Sequence, residues 1–281
     1  MKVVAGKSSP LLAKRIAEKL GCELAKTTYK VFPDGELYVR VERVDEAVVV
    51  QSLNSNDDLV QLMLIFDALG NAEITAVVPY MGYARQDREF NEGEAVSVRA
   101  IARMIESYAD RVFTVNIHSE KAKSYFRKLV EVDAMPLIGE HYRGRDVVMI
   151  SPDLGSLKRV ETASKHAGCE FDYLEKVRIS AEKVEIKPKS LNVKGRDVVI
   201  VDDIISTGGT IVEATKVLKS LGAKSVECAC VHAVLAGDAL NKLFNAGVSK
   251  VIATDTVEKS VSIVSVAEML AKAISESRSS S

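Results

Sequence analysis

Runs of β-branched residues recur along the chain and alternate with helical patterns. The clearest run, Val198 to Val201, has no polar alternation, which is typical of a central strand in a parallel sheet. A helical pattern over Ile211–Leu221 follows it. Near the amino terminus, a strand pattern over Lys2–Ala5 leads into an amphipathic helix that closes at Gly21. Strands that alternate with helices in this way predict an α/β fold with a mainly parallel sheet.

The order of these patterns repeats in the second half of the chain. The segment Val147–Phe171 has the same strand, small-residue loop and helix as the segment Met1–Leu24. Two further pairs follow in the same order, Ala68–Tyr80 with Ser220–His232 and Arg111–Ser119 with Lys250–Glu258. Generic βα units resemble one another by chance, but three ordered matches predict two domains of one fold.

We place these two domains at residues 1–142 and 143–281. A last amphipathic helix over Ser265–Ile274 is expected to pack across the domains, onto the first one, and a frayed tail is expected from Arg278 to Ser281.

The strand at Val198–Val201 leads into the loop that carries the strongest chemical signal. Asp202 and Asp203 follow at its carboxyl end, where open α/β sheets bind their ligands. The next residues combine hydroxyl groups with a glycine pair, in the order Ser206, Thr207, Gly208, Gly209 and Thr210. Backbone N–H groups of such a loop and of the following helix can point at one anion. The pattern therefore predicts a phosphate in the loop and sugar hydroxyls against the aspartates; the alternative is an ordinary strand-to-helix turn.

The matching segment of the first half, Val48–Leu59, keeps the strand but has neither the glycines nor the paired acids. We therefore expect the first domain to carry a degenerate phosphate loop.

Composition narrows the class of protein. The chain has 281 residues, 47% of them apolar and 27% charged, with a formal net charge of -1. This balance gives no long-range attraction for nucleic acid or for an anionic membrane, so we expect neither as a partner. No apolar run approaches a membrane span, and the amino terminus lacks the features of a signal peptide. The four cysteines show no C-x-x-C spacing, which favours reduced thiols in a cytoplasmic protein.

Two further segments of the first half carry candidate binding groups. Phe32 to Glu36 form a turn flanked by two acids, which by itself is most simply a solvated turn. Pro79–Phe90 follows a predicted strand at Ile74–Val78, and here Arg85 or Arg88 could hold a phosphate in forked geometry, while Tyr80 or Tyr83 could flank a base. The alternative for this segment is a cluster of surface ion pairs.

Three other positions suit a metal or a polyphosphate. His118 ends a predicted strand at Val112–Ile117, where it could meet a magnesium-bound water or a phosphate oxygen, or be structural. Asp153 also follows a strand, and it could hold a divalent cation or cap the helix that follows. Lys176 and Arg178 lie two residues apart before a Lys-rich stretch that suggests a flap or a hairpin, so both could reach one polyphosphate, although charged hairpins often have such pairs by accident.

Six segments occur in the order found in one enzyme family: FPDGE, GYARQDR, NIHS, SPDLGS, KVR and VDDIISTGGT. Together they resemble the ribose-phosphate pyrophosphokinases, the synthetases of phosphoribosyl pyrophosphate (PRPP), over essentially the whole chain. Phosphoribosyltransferases share only the last segment. The resemblance implies two tandem type I phosphoribosyltransferase-like domains, each a mainly parallel sheet flanked by helices.

The resemblance also implies transfer of the β,γ-diphosphoryl group of Mg-ATP to the anomeric hydroxyl of ribose 5-phosphate, giving PRPP and AMP. It implies that ATP is bound by seven residues, with the adenine site shared with a neighbouring subunit: Phe32, Asp34, Gly35, Glu36, Arg85, Gln86 and Asp87. It implies that ribose 5-phosphate is bound by Arg178, Asp202, Asp203, Ser206, Thr207, Gly208, Gly209 and Thr210. It also implies that His118 and Asp153 bind Mg²⁺ and that Lys176 and Arg178 are catalytic.

Three departures from the commonest bacterial and mammalian pattern resemble archaeal-type members: Ser206 in place of an aspartate, EFNEGEAVS in place of a Lys/Arg-rich continuation, and a shorter chain. They remove the basis for expecting allosteric inhibition by ADP or a hexamer, while a homodimer or higher homo-oligomer with a shared ATP site is still implied. The competing interpretations are a phosphoribosyltransferase that consumes PRPP and a non-catalytic regulatory subunit.

Overall fold

A computed structural model of the protein describes residues 1–178, 184–187 and 192–279, with side chains left out at 176–178 and 184–187. The chain divides into two compact units. The first unit consists of Met1–Asp133, Thr256–Glu258 and Ser265–Ser281, and the second of Ala134–Asp255 and Lys259–Val264.

The first unit is a five-stranded parallel sheet with helices packed on it and a separate antiparallel hairpin. Its strands are β1 (Lys2–Ala5), β2 (Thr27–Val31), β3 (Leu37–Val41), β4 (Glu46–Val50), β5 (Glu73–Val78), β6 (Arg111–Val115) and β7 (Leu129–Val132). Its helices are α1 (Pro10–Leu20), α2 (Asn56–Leu69), α3 (Ser97–Tyr108), α4 (Glu120–Lys123) and, from the carboxyl terminus, α9 (Ala267–Ser279). The sheet order is β1-β4-β5-β6-β7, and β2 pairs with β3 in the hairpin.

The second unit has the same plan with one more sheet strand. Its strands are β8 (Val147–Ser151), β9 (Glu170–Tyr173), β10 (Glu175–Arg178), β11 (Val184–Lys187), β12 (Asp197–Ile205), β13 (Ser225–Ala233), β14 (Lys250–Thr254) and β15 (Ser262–Val264). Its helices are α5 (Met135–Tyr142), α6 (Leu157–Ala167), α7 (Gly209–Ser220) and α8 (Ala239–Asn245). The parallel sheet runs β15-β14-β13-β12-β8-β9, and β10 and β11 form an antiparallel hairpin.

Strand order shows the internal repeat directly. In each unit the first strand lies beside the strand that follows the hairpin, and three further strands are added in sequence. In the first unit, a single residue pair occupies the position of the extra strand β9, because Leu24 makes an isolated parallel bridge to Val3. The predicted α/β fold, with two units each built on a parallel sheet flanked by helices, is confirmed.

The unit boundary lies earlier than the residue 142/143 position expected from the sequence. The chain divides between Asp133 and Ala134, so α5 belongs to the second unit, where it packs against α6 and β13. The apolar residues of a short helix do not reveal which of two similar sheets they will cover, and the sequence therefore could not place this helix.

Local signals account for most element ends. In β4 and β12 the β-branched runs are buried, with Val49 and Val199 fully inaccessible to solvent. Helix α1 has proline at its start and ends at Gly21, whose left-handed conformation allows its N–H to bond back to the last turn.

Three predicted ends were wrong. Strand β12 continues through both aspartates to Ile205, because Ile204 and Ile205 still pair with β13. Strand β6 ends at Val115 because Asn116 adopts a φ of 38°, which turns the chain out of the sheet. Helix α9 includes Arg278, whose guanidinium bonds to Glu46, so this residue is not part of a frayed tail. Residues 280 and 281 lie outside the described part of the chain.

None of the helices in the described ranges combines the length and the apolar character needed to cross a bilayer.

Candidate active site

The paired aspartates of the second unit lie in the middle of its sheet. Asp202 is paired in register with Cys230 of β13, whereas the other neighbour, β8, has already ended at Ser151. The aspartates therefore project where β8 stops and β12 continues, at the carboxyl edge of the parallel strands. This is the edge at which open α/β sheets bind ligands.

Asp202 is held by two hydrogen bonds to one of its oxygens. Ser156 Oγ donates to Asp202 Oδ1 at 2.7 Å, and the backbone N–H of Asp203 donates to the same atom at 2.9 Å. Burial, together with the neighbouring charge of Asp203, raises the pKa of Asp202 to about 7. This carboxyl group therefore binds a proton much more readily than an ordinary aspartate.

Asp203 is the more buried of the two, at 5% exposure. Its Oδ1 accepts from the N–H of Ile204 at 2.9 Å, and its Oδ2 lies 3.4 Å from the guanidinium of Arg159 on α6. The cation opposes the repulsion between the two neighbouring carboxylates. The site thus holds two adjacent acids in different environments.

Asp153 lies in the same neighbourhood through Ser156. Its Oδ1 accepts from the N–H of Ser156 at 3.2 Å and caps a short 3-10 turn, Leu154–Ser156. The hydroxyl of the same serine bonds to Asp202, so Ser156 connects Asp153 to Asp202. The capping role expected for Asp153 from the sequence is therefore present, and its second carboxylate oxygen has no hydrogen-bond partner among the described residues.

The phosphate loop follows β12 and ends at the amino terminus of α7. Gly208 precedes the helix with a φ of 78°, a conformation that residues with a side chain rarely adopt. The described contacts give this helix start no capping side chain, so the N–H groups of its first turn remain available to a ligand. Ser206 and Thr207 place hydroxyl groups just before this turn, and a phosphate would complete the cap.

A neighbouring loop after β13 holds the phosphate loop in place. The N–H of Leu235 bonds to the carbonyl of Ile205 at 3.0 Å, and the N–H of Ala236 bonds to that of Ser206 at 3.1 Å. Leu235 does so with a φ of 45°, which is strained for a leucine. Backbone strain of this kind persists where surrounding contacts hold a residue in place. Here the holding contacts are the two backbone hydrogen bonds beside the candidate phosphate site.

In the first unit, Asp87 is the organising residue of the segment 85–88. Its buried carboxylate accepts from Arg88 Nε at 2.9 Å and from Ser119 Oγ at 2.6 Å. These bonds, the one to Arg88 first, lower the pKa of Asp87 to about 2. The carboxylate of Asp87 is therefore already bound by Arg88 and Ser119, and the guanidinium of Arg88 is bound to Asp87.

Arg85 and Gln86 differ from that pair. Arg85 is exposed, and its guanidinium has no hydrogen-bond or ion-pair partner in the described ranges. The side-chain amide of Gln86 donates to Glu94 Oε2 at 3.0 Å, which fixes its orientation. Of this segment, Arg85 is therefore the residue with the clearest capacity to take up an anion.

His118 follows the turn at Asn116. The amide of Asn116 donates to Asp133 Oδ1 at 2.7 Å, and the N–H of Ile117 donates to Glu131 Oε1 at 2.9 Å. These bonds stabilise the positive φ of Asn116 and place His118 next to Ser119, which bonds to Asp87. The structure therefore brings His118 to the same part of the first unit as Asp87.

The predicted adenine segment forms the tip of the β2–β3 hairpin. The N–H of Phe32 bonds to the carbonyl of Glu36 at 2.8 Å, and Asp34 Oδ1 accepts from the N–H of Glu36. Phe32 is 47% exposed and makes an edge-to-face contact with Tyr38. No described contact joins this tip to the segment 85–88.

Comparison with known proteins identifies the family. Residues 1–108 match a family model described as the N-terminal domain of ribose phosphate pyrophosphokinase, and residues 129–265 match the phosphoribosyl transferase domain. Ribose-phosphate pyrophosphokinase 2 from Archaeoglobus fulgidus is 62% identical, covering 98% of this chain and 100% of the relative. The chain belongs to the ribose-phosphate pyrophosphokinase family.

Other ribose-phosphate pyrophosphokinases agree over the full length. The enzyme named so from Methanosarcina acetivorans is 45% identical, over 98% of this chain and 99% of its own. The crystal structure of phosphoribosylpyrophosphate synthetase from Mycobacterium smegmatis superposes with a TM-score of 0.85 at 31% identity, covering 100% of this chain and 99% of that one. The predicted family, its archaeal-type relatives and the enzyme class are thereby confirmed.

Two residues of the candidate site were missed from the sequence. Ser156 bonds to Asp202, and Arg159 lies against Asp203. Ser156 gave a weak local signal, since it lies three residues after a capping aspartate, but its partner is 46 positions away. Neither interaction could be inferred without the sheet that brings the segments together.

The two predicted catalytic cations are only partly described. The backbone of Lys176 and Arg178 forms β10 and pairs with β11, in agreement with the predicted hairpin. Their side chains lie outside the part of the chain that the structure describes.

Proposed function

We propose that this chain transfers the β,γ-diphosphoryl group of Mg-ATP to the C1 hydroxyl of ribose 5-phosphate, giving PRPP and AMP for nucleotide biosynthesis. The observation that carries the proposal is the uncapped start of α7 beside the aspartate pair of β12. A sugar phosphate matches this arrangement, with an anion for the helix end and hydroxyls for the acids.

Ribose 5-phosphate binds at the second unit. Its 5-phosphate accepts hydrogen bonds from the loop Ser206–Thr210 and from the first turn of α7, where the helix dipole also favours an anion. Its ring hydroxyls donate to Asp202 and Asp203. Asp202 must be ionised to accept fully, and its pKa of about 7 makes this interaction sensitive to pH.

ATP binds through the first unit. Arg85 supplies a free guanidinium for the polyphosphate, and Gln86 presents an amide that Glu94 orients. Asp87, whose carboxylate is already bound by Arg88 and Ser119, acts by holding this segment rather than by touching ATP. Asp34, Gly35 and Glu36, with the exposed ring of Phe32, contact the adenine bound to a neighbouring copy, which makes the protein a homodimer or higher homo-oligomer with a shared ATP site.

Magnesium fits the donor groups present. In the described ranges there is no group of three or more His, Cys, Asp or Glu residues that could hold a metal alone. Mg²⁺ commonly takes one or two carboxylates and completes its shell with water and substrate phosphates. In the second unit, Asp153, with one unpaired oxygen, would bind Mg²⁺ in this way. In the first unit, His118 would contribute to magnesium binding. Bound magnesium would neutralise phosphate charge during transfer.

The transfer needs positioning and charge neutralisation more than covalent help. The C1 oxygen forms a bond to the β-phosphorus as the bond from that phosphorus to the α,β-bridging oxygen breaks, so AMP leaves and the hydroxyl proton is released. Lys176 and Arg178, carried on the hairpin strand β10, supply positive charge to the transferring group, and Arg178 also contacts ribose 5-phosphate. Closure of this segment would keep water from ATP.

The test is a product assay with purified protein, Mg-ATP and ribose 5-phosphate, followed by chromatography or phosphorus NMR. Equimolar AMP and PRPP without ADP is the expected result. Formation of ADP would instead show a simple kinase. Binding of ribose 5-phosphate without turnover would contradict the proposal and favour a non-catalytic subunit.

A further inference from the structure

The loop between β5 and α3 folds around a single carboxylate, that of Glu94. Its Oε2 accepts from the side-chain amide of Gln86 at 3.0 Å and from the backbone N–H of Phe90 at 2.9 Å. Its Oε1 accepts from the side-chain amide of Asn91. These bonds, the one from Asn91 first, hold the pKa of Glu94 below its usual range. Glu94 is therefore ionised at neutral pH and can only accept hydrogen bonds.

Both hydrogens of the Gln86 amide group are in use. Nε2 donates to Glu94 and also to the backbone carbonyl of Arg88, at 3.1 Å. A carboxylate and a carbonyl are both acceptors, so the opposite orientation would set the amide oxygen of Gln86 against two other oxygens. The orientation of the amide is therefore fixed by its neighbours. Its Oε1, which has no hydrogen-bond partner among the described residues, is the atom left for a ligand.

An outward carbonyl oxygen limits the groups that Gln86 can bind. The ionised phosphates of ATP offer only acceptors, so they form no hydrogen bond with this oxygen. The groups of ATP that donate are the 6-amino group of adenine and the hydroxyls of the ribose. The neighbouring guanidinium of Arg85 has the opposite character, because it offers only donors. Arg85 is thus suited to the phosphates and Gln86 to the nucleoside.

We propose that Gln86 Oε1 accepts a hydrogen bond from a donor group on the nucleoside part of ATP, and that Glu94 is the positioning residue that keeps this oxygen outward. The inference rests on the proposed binding of ATP at this segment and adds a basis for its nucleotide specificity. A nucleotide without the donor leaves the carbonyl unpaired and binds more weakly. The alternative is a structural loop in which Gln86 meets only water.

The experiment is isothermal titration calorimetry on the full-length protein with magnesium and without ribose 5-phosphate. The probes are ATP, purine riboside triphosphate, which lacks only the 6-amino group, and 2′-deoxy-ATP and 3′-deoxy-ATP, which each lack one hydroxyl. Gln86→Met removes the carbonyl at similar length, Glu94→Ala releases the amide, and Glu94→Gln keeps an acceptor for it.

Two controls change the same loop without touching the bond between Gln86 and Glu94. Glu92→Ala removes an exposed charge two positions from Glu94. Asn91→Ala removes a different hydrogen bond of Glu94, so it reports on the fold of the loop alone.

The expected result is that the wild type binds ATP about fivefold or more tightly than one of the analogues, which identifies the donor group. Gln86→Met should weaken ATP by about the same factor and leave the affinity for that analogue unchanged. Glu94→Ala should reduce the preference for ATP, because the amide can then turn. Glu94→Gln and both controls should keep it.

Equal affinities of the wild type for ATP and all three analogues would overturn the proposal, as would a preference that persists in Gln86→Met. A preference that persists in Glu94→Ala, or that is lost equally in Asn91→Ala, would overturn the positioning role of Glu94. If the wild type bound none of the nucleotides, the proposed ATP site itself would be wrong, so the two failures are distinguishable.

Discussion

Replacing Ser156 with alanine removes the 2.7 Å hydrogen bond that its hydroxyl donates to Asp202 Oδ1. This bond stabilises the ionised carboxylate and opposes the rise in pKa that burial causes. A hydrogen bond to a charged group contributes about 1.5–3 kcal/mol. Since one pKa unit corresponds to about 1.4 kcal/mol, the pKa of Asp202 should rise by roughly 1–2 units above its present value of about 7.

Asp202 must be ionised to accept hydrogen bonds fully from the ribose hydroxyls, so a higher pKa of Asp202 should lower the activity at neutral pH. With a starting pKa of about 7, a rise of roughly 1–2 units lowers the ionised fraction at pH 7 from about one half to between about a tenth and a hundredth. The value of kcat/KM for ribose 5-phosphate should therefore fall roughly 5- to 50-fold. The loss should disappear at high pH, where Asp202 is ionised in both proteins. The measurement is kcat/KM for ribose 5-phosphate against pH at saturating Mg-ATP.

Ser164→Ala is the matched control. Ser164 lies on the helix that follows Ser156, and its hydroxyl bonds to the carbonyl of Glu161 at 2.9 Å, so the same chemical change is made away from Asp202. The second pKa of the substrate phosphate, about 6, affects all variants alike. Superimposable pH profiles of wild type and Ser156→Ala would refute the reasoning, because the hydrogen bond would then have no influence on the protonation that limits binding.

Three other changes have defined outcomes. Because the pKa of Asp202 is higher in the folded than in the unfolded chain, its contribution to stability is present at low pH and lost as the pH rises through about 7. Asp202→Asn should therefore stabilise the free protein above pH 7 by at most about 4 kcal/mol and not at all near pH 3, as measured by urea unfolding. Lys176→Ala should lower kcat about 100-fold or more with little change in binding of ribose 5-phosphate, and an unchanged kcat would remove this residue from the mechanism. Gly208→Ala should cost about 1–2 kcal/mol of unfolding free energy and raise KM for ribose 5-phosphate, because Gly208 has a φ of 78° and a Cβ would lie 3.3 Å from the Leu243 side chain. Gly209→Ala, where a Cβ would meet nothing within 4 Å, is the stability control, and equal losses in both would contradict the strain argument.

Secondary structure and the repeat were predictable because they depend on neighbours along the chain. The β-branched run at Val198–Val201 predicted the central strand that is observed as part of β12. Gly21 predicted the end of α1 through its preference for a left-handed turn. Three ordered similarities between the halves predicted the shared strand order of the two sheets.

The ends of elements at the site were less predictable. The aspartates looked like the start of a loop, but pairing with β13 keeps them in the strand. The turn at Asn116 needs Glu131 and Asp133, which lie on a distant part of the chain. The end of β12 and the turn at Asn116 therefore depend on residues elsewhere in the chain, which the local sequence does not reveal.

The sequence by itself therefore determined the α/β fold, the two similar halves and the family, and it predicted the phosphate loop. Only the tertiary structure decided how the acids of the site behave: Asp202, with a pKa raised to about 7, and Asp87, with a pKa lowered to about 2. Each has a charged neighbour in the sequence that acts in the direction of its shift, Asp203 beside Asp202 and Arg88 beside Asp87. The sequence does not show the burial that raises the pKa of Asp202, nor that Ser156 bonds to Asp202 and that Ser119 joins Arg88 in bonding to Asp87. These features depend on segments that are far apart in the chain.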